Sequence, residues 1–326
     1  MKNWTIENMS SQAGKLAVIT GATGGLGFET ALAFAGAGAE VILSGRNAVK
    51  GQDALRRIRA AHPQARLRFE LLDLANLASV YDFGRRLKAE DRRIDILVNN
   101  AGVMALAKRQ VTVDGFEMQL GTNYLGHFAL TAALLPLLNG ARVISLSSIA
   151  HRRGRIDLDD LQGEKKYAAW TAYAQSKLAM LMFALELQRR SDANAWGIAS
   201  IAAHPGWART DLIANGPGTQ GILGLLTRLI MPLFSHSAAD GALPILFAAT
   251  APEAKNPGYY GPSGFYEMKG PVAPAQIMPQ AGDAAVAVRL WEISTRLTGT
   301  EWEQEKLFAD STSERFKSVR PEPVEV

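Results

Sequence analysis

The stretch KLAVITGATGGLG, residues 15–27, is an apolar run typical of a buried strand, followed directly by a glycine-rich turn and a helical pattern. Gly21, Gly25 and Gly27 have the spacing G-x-x-x-G-x-G. Glycine permits a tight bend, and its missing side chain lets the backbone approach a pyrophosphate that a helix N-terminus attracts. A glycine loop without a ligand is the alternative, but the strand before it and the helix after it favour a dinucleotide-binding turn.

This run is the first of a series in which short apolar strands alternate with helical patterns. Strands are predicted at 15–20, 40–45, 67–74, 94–102, 142–148 and 197–206, and helices at 26–37, 47–60 and 76–89. Because the apolar runs are continuous, the strands should be covered on both faces. The pattern predicts an α/β fold with one doubly wound, Rossmann-type parallel sheet and helices on both faces. No repeat or linker interrupts it, so we expect a single domain over residues 1–326, with a core over about 15–298.

The composition excludes several kinds of protein. The chain has 326 residues, a net charge of +4 and no cysteine, which excludes disulfides, cysteine-bound zinc and a thiol nucleophile. The five histidines lack a paired metal-binding spacing, so no metal is expected. Only HRRGR, residues 151–155, concentrates basic residues, and we expect it to be a solvated rim rather than a nucleic-acid site. No apolar run is long enough for a signal peptide or a membrane span, so we expect a cytoplasmic protein with no integral membrane segment.

Two later segments have looser patterns. Residues 211–235 are apolar but interrupted by glycine, proline and polar residues. They could form a substrate lid or an ordinary pair of core helices, and the sequence leaves both open. Residues 300–326 are charged and predict a surface helix and a frayed C-terminal tail.

The end of the second strand predicts which nicotinamide cofactor the turn would bind. It reads LSGRN, residues 43–47, with Arg46 where an NAD-binding protein usually has an acidic residue. A guanidinium can pair with the 2′-phosphate of NADP(H), and Ser44 and Asn47 could add hydrogen bonds. NADP(H) is therefore preferred over NAD(H), although Arg46 could also be a solvated loop charge.

Seven motifs stand in a characteristic order along residues 15–298. They are TGATGGLG (20–27), DL (73–74), NNAG (99–102), Asn123 in GTNYLGHF, SLSS (145–148), YAQSK (173–177) and HPGWARTD (204–211). In this order the chain resembles the classical short-chain dehydrogenase/reductase (SDR) family. The wording of NNAGVM, NYLGHF and HPG is most similar to the subgroup of retinol dehydrogenases and protochlorophyllide reductases.

The resemblance implies four catalytic residues. Tyr173 would be the acid/base and Lys177 would bind the nicotinamide ribose. Ser148 would hydrogen-bond the substrate carbonyl, and Asn123 would hold a helix kink and a water of a proton relay. His204 and His127 are expected to be structural.

The resemblance also implies cofactor contacts. Asp73 would touch the adenine, Asn99 would steady the central strand and Thr210 would contact the nicotinamide carboxamide. Together with Tyr173, Lys177 and the residues after the second strand, the implied contacts are Gly21, Thr23, Gly25, Leu26, Gly27, Leu74, Ala101, Gly102, Pro205 and Gly206.

The spacing between the implied serine and tyrosine departs from the common family pattern. Ser148 and Tyr173 lie 25 positions apart, about twice the spacing of many members, and the intervening residues resemble an insertion of the retinol dehydrogenase-like subgroup. Successive strand residues face opposite ways, so only one of Ser147 and Ser148 can point into the site, and the family pattern selects Ser148.

Tyr173 and Lys177 are four residues apart and share a helix face. A free phenol has a pKa of about 10, and a nearby cation should lower it, which suits acid/base work. A core tyrosine with a snorkelling lysine is the alternative.

The next residues, LAMLMFAL (178–185), are apolar all round. They predict either a homodimer or homotetramer contact, or a helix covered by residues 156–170 or the C-terminal tail.

Together these features predict an NADP(H)-dependent oxidoreductase. It would transfer hydride between nicotinamide and the carbonyl or alcohol carbon of a mostly apolar ketone, aldehyde or secondary alcohol, with Tyr173 as acid/base. Reduction of an activated C=C bond is an alternative. A non-catalytic NADP(H) sensor or scaffold is another, although all four implied catalytic residues are present.

Overall fold

The computed structural model describes residues 3–208 and 236–302, whose strands form one eight-stranded sheet. The strand order is β3-β2-β1-β4-β5-β6-β7-β8, with β1 to β7 parallel and β8 antiparallel to β7. The predicted doubly wound α/β fold is confirmed. The strands are β1 Leu16–Thr20, β2 Glu40–Gly45, β3 Leu67–Leu71, β4 Ile96–Asn99, β5 Arg142–Leu146, β6 Ala199–Ala203, β7 Gly258–Pro262 and β8 Val272–Pro274.

Helices cover both faces of the sheet. They are α1 Gly25–Gly36, α2 Ala48–Ala61, α3 Leu77–Ala89, α4 Met118–Leu120, α5 Gly126–Leu134, α6 Ala169–Asn194, α7 Ala238–Thr250 and α8 Ala284–Thr298, with a π-helical segment Gly121–Leu125 joining α4 to α5. One apolar core contains α1, α2 and α7, and the other contains α3, α5, α6 and α8. In β1, Leu16 and Val18 belong to one core while Ala17 and Ile19 belong to the other, as expected for a strand covered on both faces.

The apolar part of α6 is covered within the single chain. Residues 178–184 are all buried. Trp291 of α8 stacks on Phe183, and its ring centroid lies 4.4 Å from that of Trp302. Ile156 and Leu161 belong to the same core. Residues of the 156–170 segment and of the C-terminal tail, the two segments that the sequence offered as a cover, therefore both pack on this side of the molecule. The apolar run gives no support to a subunit contact through this helix. The oligomeric state stays a prediction.

The predicted lid (211–235), Thr210 and all but three residues of the predicted tail (300–326) lie outside the described residues. Within the described ranges, no helix is both long and apolar enough to cross a membrane. The same ranges contain no group of three or more histidine, aspartate or glutamate residues that could hold a metal ion.

Candidate active site

The predicted site residues lie mainly where parallel strands end. The glycine turn follows β1, Arg46 follows β2, the NNAG motif spans the end of β4, Ser148 follows β5 and Pro205 follows β6. In parallel sheets the carboxyl ends of the strands lie at one edge, which is where ligands bind in this class of fold. The topology therefore brings residues that are distant in sequence to one edge.

The glycine turn packs tightly against the NNAG loop. Gly21 has a φ of +65°, and a Cβ there would lie 2.9 Å from Ala101 Cα. A Cβ on Gly27 would lie 2.5 Å from Asn100 Nδ2. α1 begins at Gly25 with no capping side chain among the described residues, so its first N–H groups are available to a ligand.

The other predicted residues of the turn lie beside neighbouring loops. Thr23 is half-buried, and its methyl group would be 3.2 Å from a Cβ on Gly45 at the end of β2. Leu26 is half-buried and reaches towards Gly241 on α7. Gly206 has a φ of +66°, and Pro205 also lies near Gly241. The loop after β6 and the glycine turn therefore meet at the start of α7.

Arg46 is exposed and lines a surface cavity of about 410 Å³. Asn47 caps α2, since its side-chain oxygen accepts from the Lys50 amide at 3.0 Å. Ser44 is fully buried and donates to the Ile19 carbonyl at 3.1 Å, so its hydroxyl is directed into the sheet and not towards Arg46. The structure thus gives no support to the predicted cofactor hydrogen bond from the Ser44 hydroxyl. The cavity is lined by Arg46, Leu71, Asp73, Asn76, Ala78, Ser79, Asp82 and Arg86.

Asp73 and Leu74 form the turn between β3 and α3. The Asp73 carboxylate accepts from the Ala75 amide at 3.0 Å, which fixes its orientation at the cavity. Leu74 is buried, and its carbonyl oxygen occupies the space that a Cβ on Gly126 would need. The turn between β3 and α3, which lines the cavity, therefore packs directly against the first turn of α5 at Gly126.

Asn123 joins the NNAG loop to α6. It is fully buried in the π-helical segment. Its Oδ1 accepts from the Val103 amide at 2.7 Å, and its Nδ2 donates to the Val103 carbonyl and to Ser176 Oγ, both at 2.9 Å. Single π-helical turns are frequent at functional sites, and here the turn holds Asn123 in this bridging position. Asn99 is buried on β4 and donates to Thr131 Oγ1 at 3.1 Å.

Ser148, Tyr173 and Lys177 come together at the end of β5. Tyr173 is 6% exposed, and the Ser148 hydroxyl lies close enough to its phenol to lower the phenol pKa. Lys177 Nζ lies 5.9 Å from the centre of the Tyr173 ring and donates to the Leu146 carbonyl at 3.0 Å. Ser147 donates instead to the Lys177 carbonyl at 2.8 Å. The two serines diverge, and Ser148 is the one that faces the phenol.

The family model for short chain dehydrogenases matches residues 15–219. The chain belongs to the short-chain dehydrogenase family. Retinol dehydrogenase 13 from Mus musculus is 42% identical over 291 residues, which cover 88% of this chain and 84% of the relative. Polyprenol dehydrogenase from Mus musculus is 40% identical over 295 residues, which cover 88% and 85%. The predicted family and the likeness to retinol dehydrogenases are confirmed.

Solved structures agree with this membership. An uncharacterised protein from Mycobacterium paratuberculosis superposes with a TM-score of 0.78 at 39% identity, covering 93% of this chain and 100% of that one. A short chain dehydrogenase from Burkholderia cenocepacia, crystallised in complex with NADP, has a TM-score of 0.57 at 26% identity and covers 74% and 92%.

The residues of this dehydrogenase fit a nicotinamide dinucleotide. The uncapped N-terminus of α1 presents free N–H groups after the glycine turn. A Cβ on Gly102 would lie 3.0 Å from Asn123 Oδ1 and 3.6 Å from Lys177 Nζ, so a side chain there would enter the space in front of the lysine. Asn99 Oδ1 is buried without a partner among the described residues. Short-chain dehydrogenases bind a nicotinamide cofactor, and these features are consistent with that.

Burial controls the charges of the tyrosine and the lysine. It raises the pKa of Tyr173 to about 12, even though the nearby Ser148 hydroxyl lowers it. Burial also lowers the pKa of Lys177 to about 8. The expectation that Lys177 lowers the pKa of the phenol is therefore wrong for the chain by itself, because desolvation dominates and the ammonium donates to Leu146. The phenol is protonated at neutral pH.

His127 links the glycine turn to Asn123 and was not predicted as part of the site. Its Nδ1 donates to the Asn123 carbonyl at 2.8 Å, and its Nε2 accepts from the Thr20 hydroxyl at 2.9 Å. Thr20 Oγ1 in turn accepts from the Asn100 and Ala101 amides. Burial lowers the pKa of His127 to about 3, so the ring is neutral. The sequence does contain a signal for this contact. Asn123 and His127 are polar residues four apart in an apolar helix, so they share one helix face.

Proposed function

We propose that the chain is an NADP(H)-dependent dehydrogenase that acts on a mostly apolar ketone, aldehyde or secondary alcohol. The observation that carries the proposal is that the half-buried Ser148 hydroxyl faces the buried phenol of Tyr173, beside Lys177. Two hydroxyls that meet at one point can both hydrogen-bond a single substrate oxygen. Such a pair is suited to a carbonyl oxygen that becomes an alkoxide.

The chemistry divides between cofactor and chain. When bound, the nicotinamide supplies or accepts the hydride. Tyr173 gives its phenolic proton to the substrate oxygen as that oxygen becomes negative, and takes a proton back in the reverse direction. Ser148 donates a hydrogen bond to the same oxygen and stabilises the developing charge. Asn123 holds the NNAG loop against α6, which keeps Lys177 beside the cofactor ribose.

NADP(H) is preferred over NAD(H) in this proposal. Arg46 is exposed at the cavity after β2, where no acidic residue of that strand end would repel a 2′-phosphate. The complex of the Burkholderia cenocepacia relative with NADP supports the same preference. Asp73 and Asp82 also line the cavity, and Arg46 and Arg86 are the cations that line it with them.

An apolar substrate is supported by the rim of the site and by the relatives. Trp170, on the first turn of α6, is 57% exposed and packs edge-on against Tyr173 with 6.0 Å between ring centres. The names of two relatives, retinol dehydrogenase and polyprenol dehydrogenase, denote alcohols with long hydrocarbon chains.

Four further statements from the sequence are part of this proposal: the roles of all the site residues, the single domain, the cytoplasmic location and a homo-oligomer.

The test is a panel of apolar ketones, aldehydes and enones with NADPH and NADH in parallel, followed at the nicotinamide absorbance and by product identification. Alcohol formation with faster turnover of NADPH is the expected result. A saturated ketone formed from an enone, with no alcohol, would assign C=C reduction instead. NADPH binding without turnover of any compound would favour a sensor or scaffold.

A further inference from the structure

Glu267 lies in the loop between β7 and β8 and receives hydrogen bonds from three separate segments. Its Oε2 accepts from His204 Nε2 at 3.0 Å and from an Arg152 guanidinium nitrogen at 2.7 Å. Its Oε1 accepts from the Gln276 amide at 3.0 Å. Glu267 is half-buried, and hydrogen bonds and a cation of this kind favour the charged form of its carboxylate. One carboxylate thus ties the loops after β5, β6 and β8 together.

The backbone of this loop adopts an uncommon conformation to make these contacts. Tyr266 and Glu267 have φ values of +51° and +58°, in the left-handed region that residues other than glycine rarely occupy. Such residues persist where the surroundings determine their position, and they are concentrated at functional sites. The three hydrogen-bond donors around the Glu267 carboxylate fix this residue in its position.

The first of these segments, residues 204–207, contains Pro205 and Gly206, two of the cofactor contacts that the family resemblance implies, and leads towards Thr210, the implied nicotinamide contact. His204 is fully buried, and its Nδ1 accepts from the Gly206 amide at 3.1 Å, so its proton is on Nε2, directed at Glu267. The Trp207 amide donates to the Met268 carbonyl at 2.7 Å. A Cβ on Gly206 would collide with that same carbonyl. The shape of residues 204–207 therefore depends on the loop that carries Glu267.

The second segment, residues 149–153, follows Ser148. It contains Arg152, which pairs with Glu267, and His151, whose Nδ1 donates to the Ser148 carbonyl at 2.7 Å. Both residues belong to the HRRGR stretch, which was predicted to be a solvated rim. For these two positions that prediction is wrong, because His151 is fully buried and Arg152 is ion-paired.

We propose that Glu267 is a positioning residue that fixes residues 148–153 and 204–207 around the nicotinamide end of the bound cofactor. The inference rests on the proposed nicotinamide-dependent function. Glu267 follows β7 and Arg46 follows β2, which is five strand positions away in the sheet. At about 4.8 Å per strand this is about 24 Å, too far for Glu267 to touch the adenine end.

The distance gives the test, because a ligand that contains only the adenine end should not sense Glu267. The dissociation constants of NADPH and of 2′,5′-ADP are measured by calorimetry for the wild type and for Glu267→Gln. The variant keeps the side-chain size but leaves the guanidinium of Arg152 without its carboxylate. We expect NADPH to bind about tenfold more weakly, as for the loss of a charge-assisted hydrogen bond, and 2′,5′-ADP to bind as before. Glu253→Gln, at an exposed glutamate, is the matched control and should change neither constant.

Two results would overturn the proposal. In the first, Glu267→Gln binds NADPH as tightly as the wild type. In the second, it loses affinity for both ligands equally, which would show general damage and no positioning. If Glu267→Gln does not fold, Arg152→Gln removes one donor only and is judged by the same ratio of the two constants.

Binding is measured without turnover, so the outcome is independent of the proposed reaction. A shifted ratio in a chain that turns over no substrate would support the positioning role and reject the reaction. If the wild type prefers NADH, the ratio is measured with NADH and 5′-ADP.

Discussion

Replacing Lys177 with methionine removes a buried charge from the active site and keeps an unbranched side chain of similar length. Lys177 is 4% exposed, and burial lowers its pKa from 10.5 to about 8. Because the folded-state pKa is depressed, the charged form opposes folding below pH 8, and this cost disappears as the pH rises from 8 towards 10.5. At about 1.36 kcal/mol per pKa unit, the cost is roughly 3 kcal/mol at pH 7 and roughly 1 kcal/mol at pH 9.5.

The same substitution also removes the hydrogen bond from Nζ to the Leu146 carbonyl, at 3.0 Å. That loss is worth about 1–3 kcal/mol, and it applies at both pH values. It therefore largely cancels when the effects of the substitution at the two pH values are subtracted. We expect the change in unfolding free energy caused by Lys177→Met to be about 2 kcal/mol more stabilising at pH 7 than at pH 9.5.

Urea unfolding followed by tryptophan fluorescence at the two pH values measures this difference. Lys255→Met, at an exposed lysine, is the control and should show almost none of it. An effect of Lys177→Met that is the same at pH 7 and pH 9.5 would refute the reasoning, because it would mean that the ammonium is well solvated in the folded chain. A destabilising charge that the fold retains is typical of a residue kept for function.

Three more predictions concern the proton donor, the 2′-phosphate and the buried histidine. Tyr173→Phe should lower kcat by about 10²-fold with NADPH affinity nearly intact, and steady-state kinetics with a fluorescence titration would reveal any turnover that excludes the acid/base role. Arg46→Asp should lower the ratio of kcat/KM for NADPH to that for NADH by about tenfold or more, whereas an unchanged ratio would mean that Arg46 does not contact the phosphate. His127→Leu leaves the Asn123 carbonyl and the Thr20 hydroxyl without their ring partner and should cost about 2–3 kcal/mol of unfolding free energy. His127→Gln can both donate and accept and should recover most of this in urea unfolding; an equal loss in both variants would contradict the hydrogen-bonding role.

The fold was predictable from the sequence as far as β6, because most strands up to that point are continuous apolar runs and each is followed by a loop or helix; β3, which contains Arg68 and Glu70, is the exception. The last two strands were not predicted. β7 is Gly258–Pro262 and β8 is Val272–Pro274, and both contain residues that normally mark turns. They can be strands because β7 pairs with β6 and β8 closes the edge of the sheet, and this pairing is not local in sequence.

The motif residues that follow parallel strands were predictable from that position, and their partners were not. His204 and Glu267 are 63 positions apart, and Thr20 and His127 are 107 positions apart, so no local pattern joins either pair. The direction of Ser44 depends on which strand face it occupies, and the structure places its hydroxyl against Ile19. The pKa of Tyr173 depends on the balance between burial and charge, which spacing alone does not give.

That balance bears on the direction of the reaction. Burial raises the pKa of Tyr173 to about 12 and lowers that of Lys177 to about 8, so at neutral pH the chain by itself holds the phenol protonated and the neighbouring lysine mostly charged. A protonated phenol is ready to donate, and an alkoxide is a stronger base than a phenolate, so proton transfer to a newly formed alkoxide is favourable without any change in the site. Acting as a base first requires the phenol to ionise in a desolvated position, which needs additional positive charge nearby. In the chain without a cofactor the phenol is therefore ready to act as a proton donor, and its role as a base depends on positive charge added nearby.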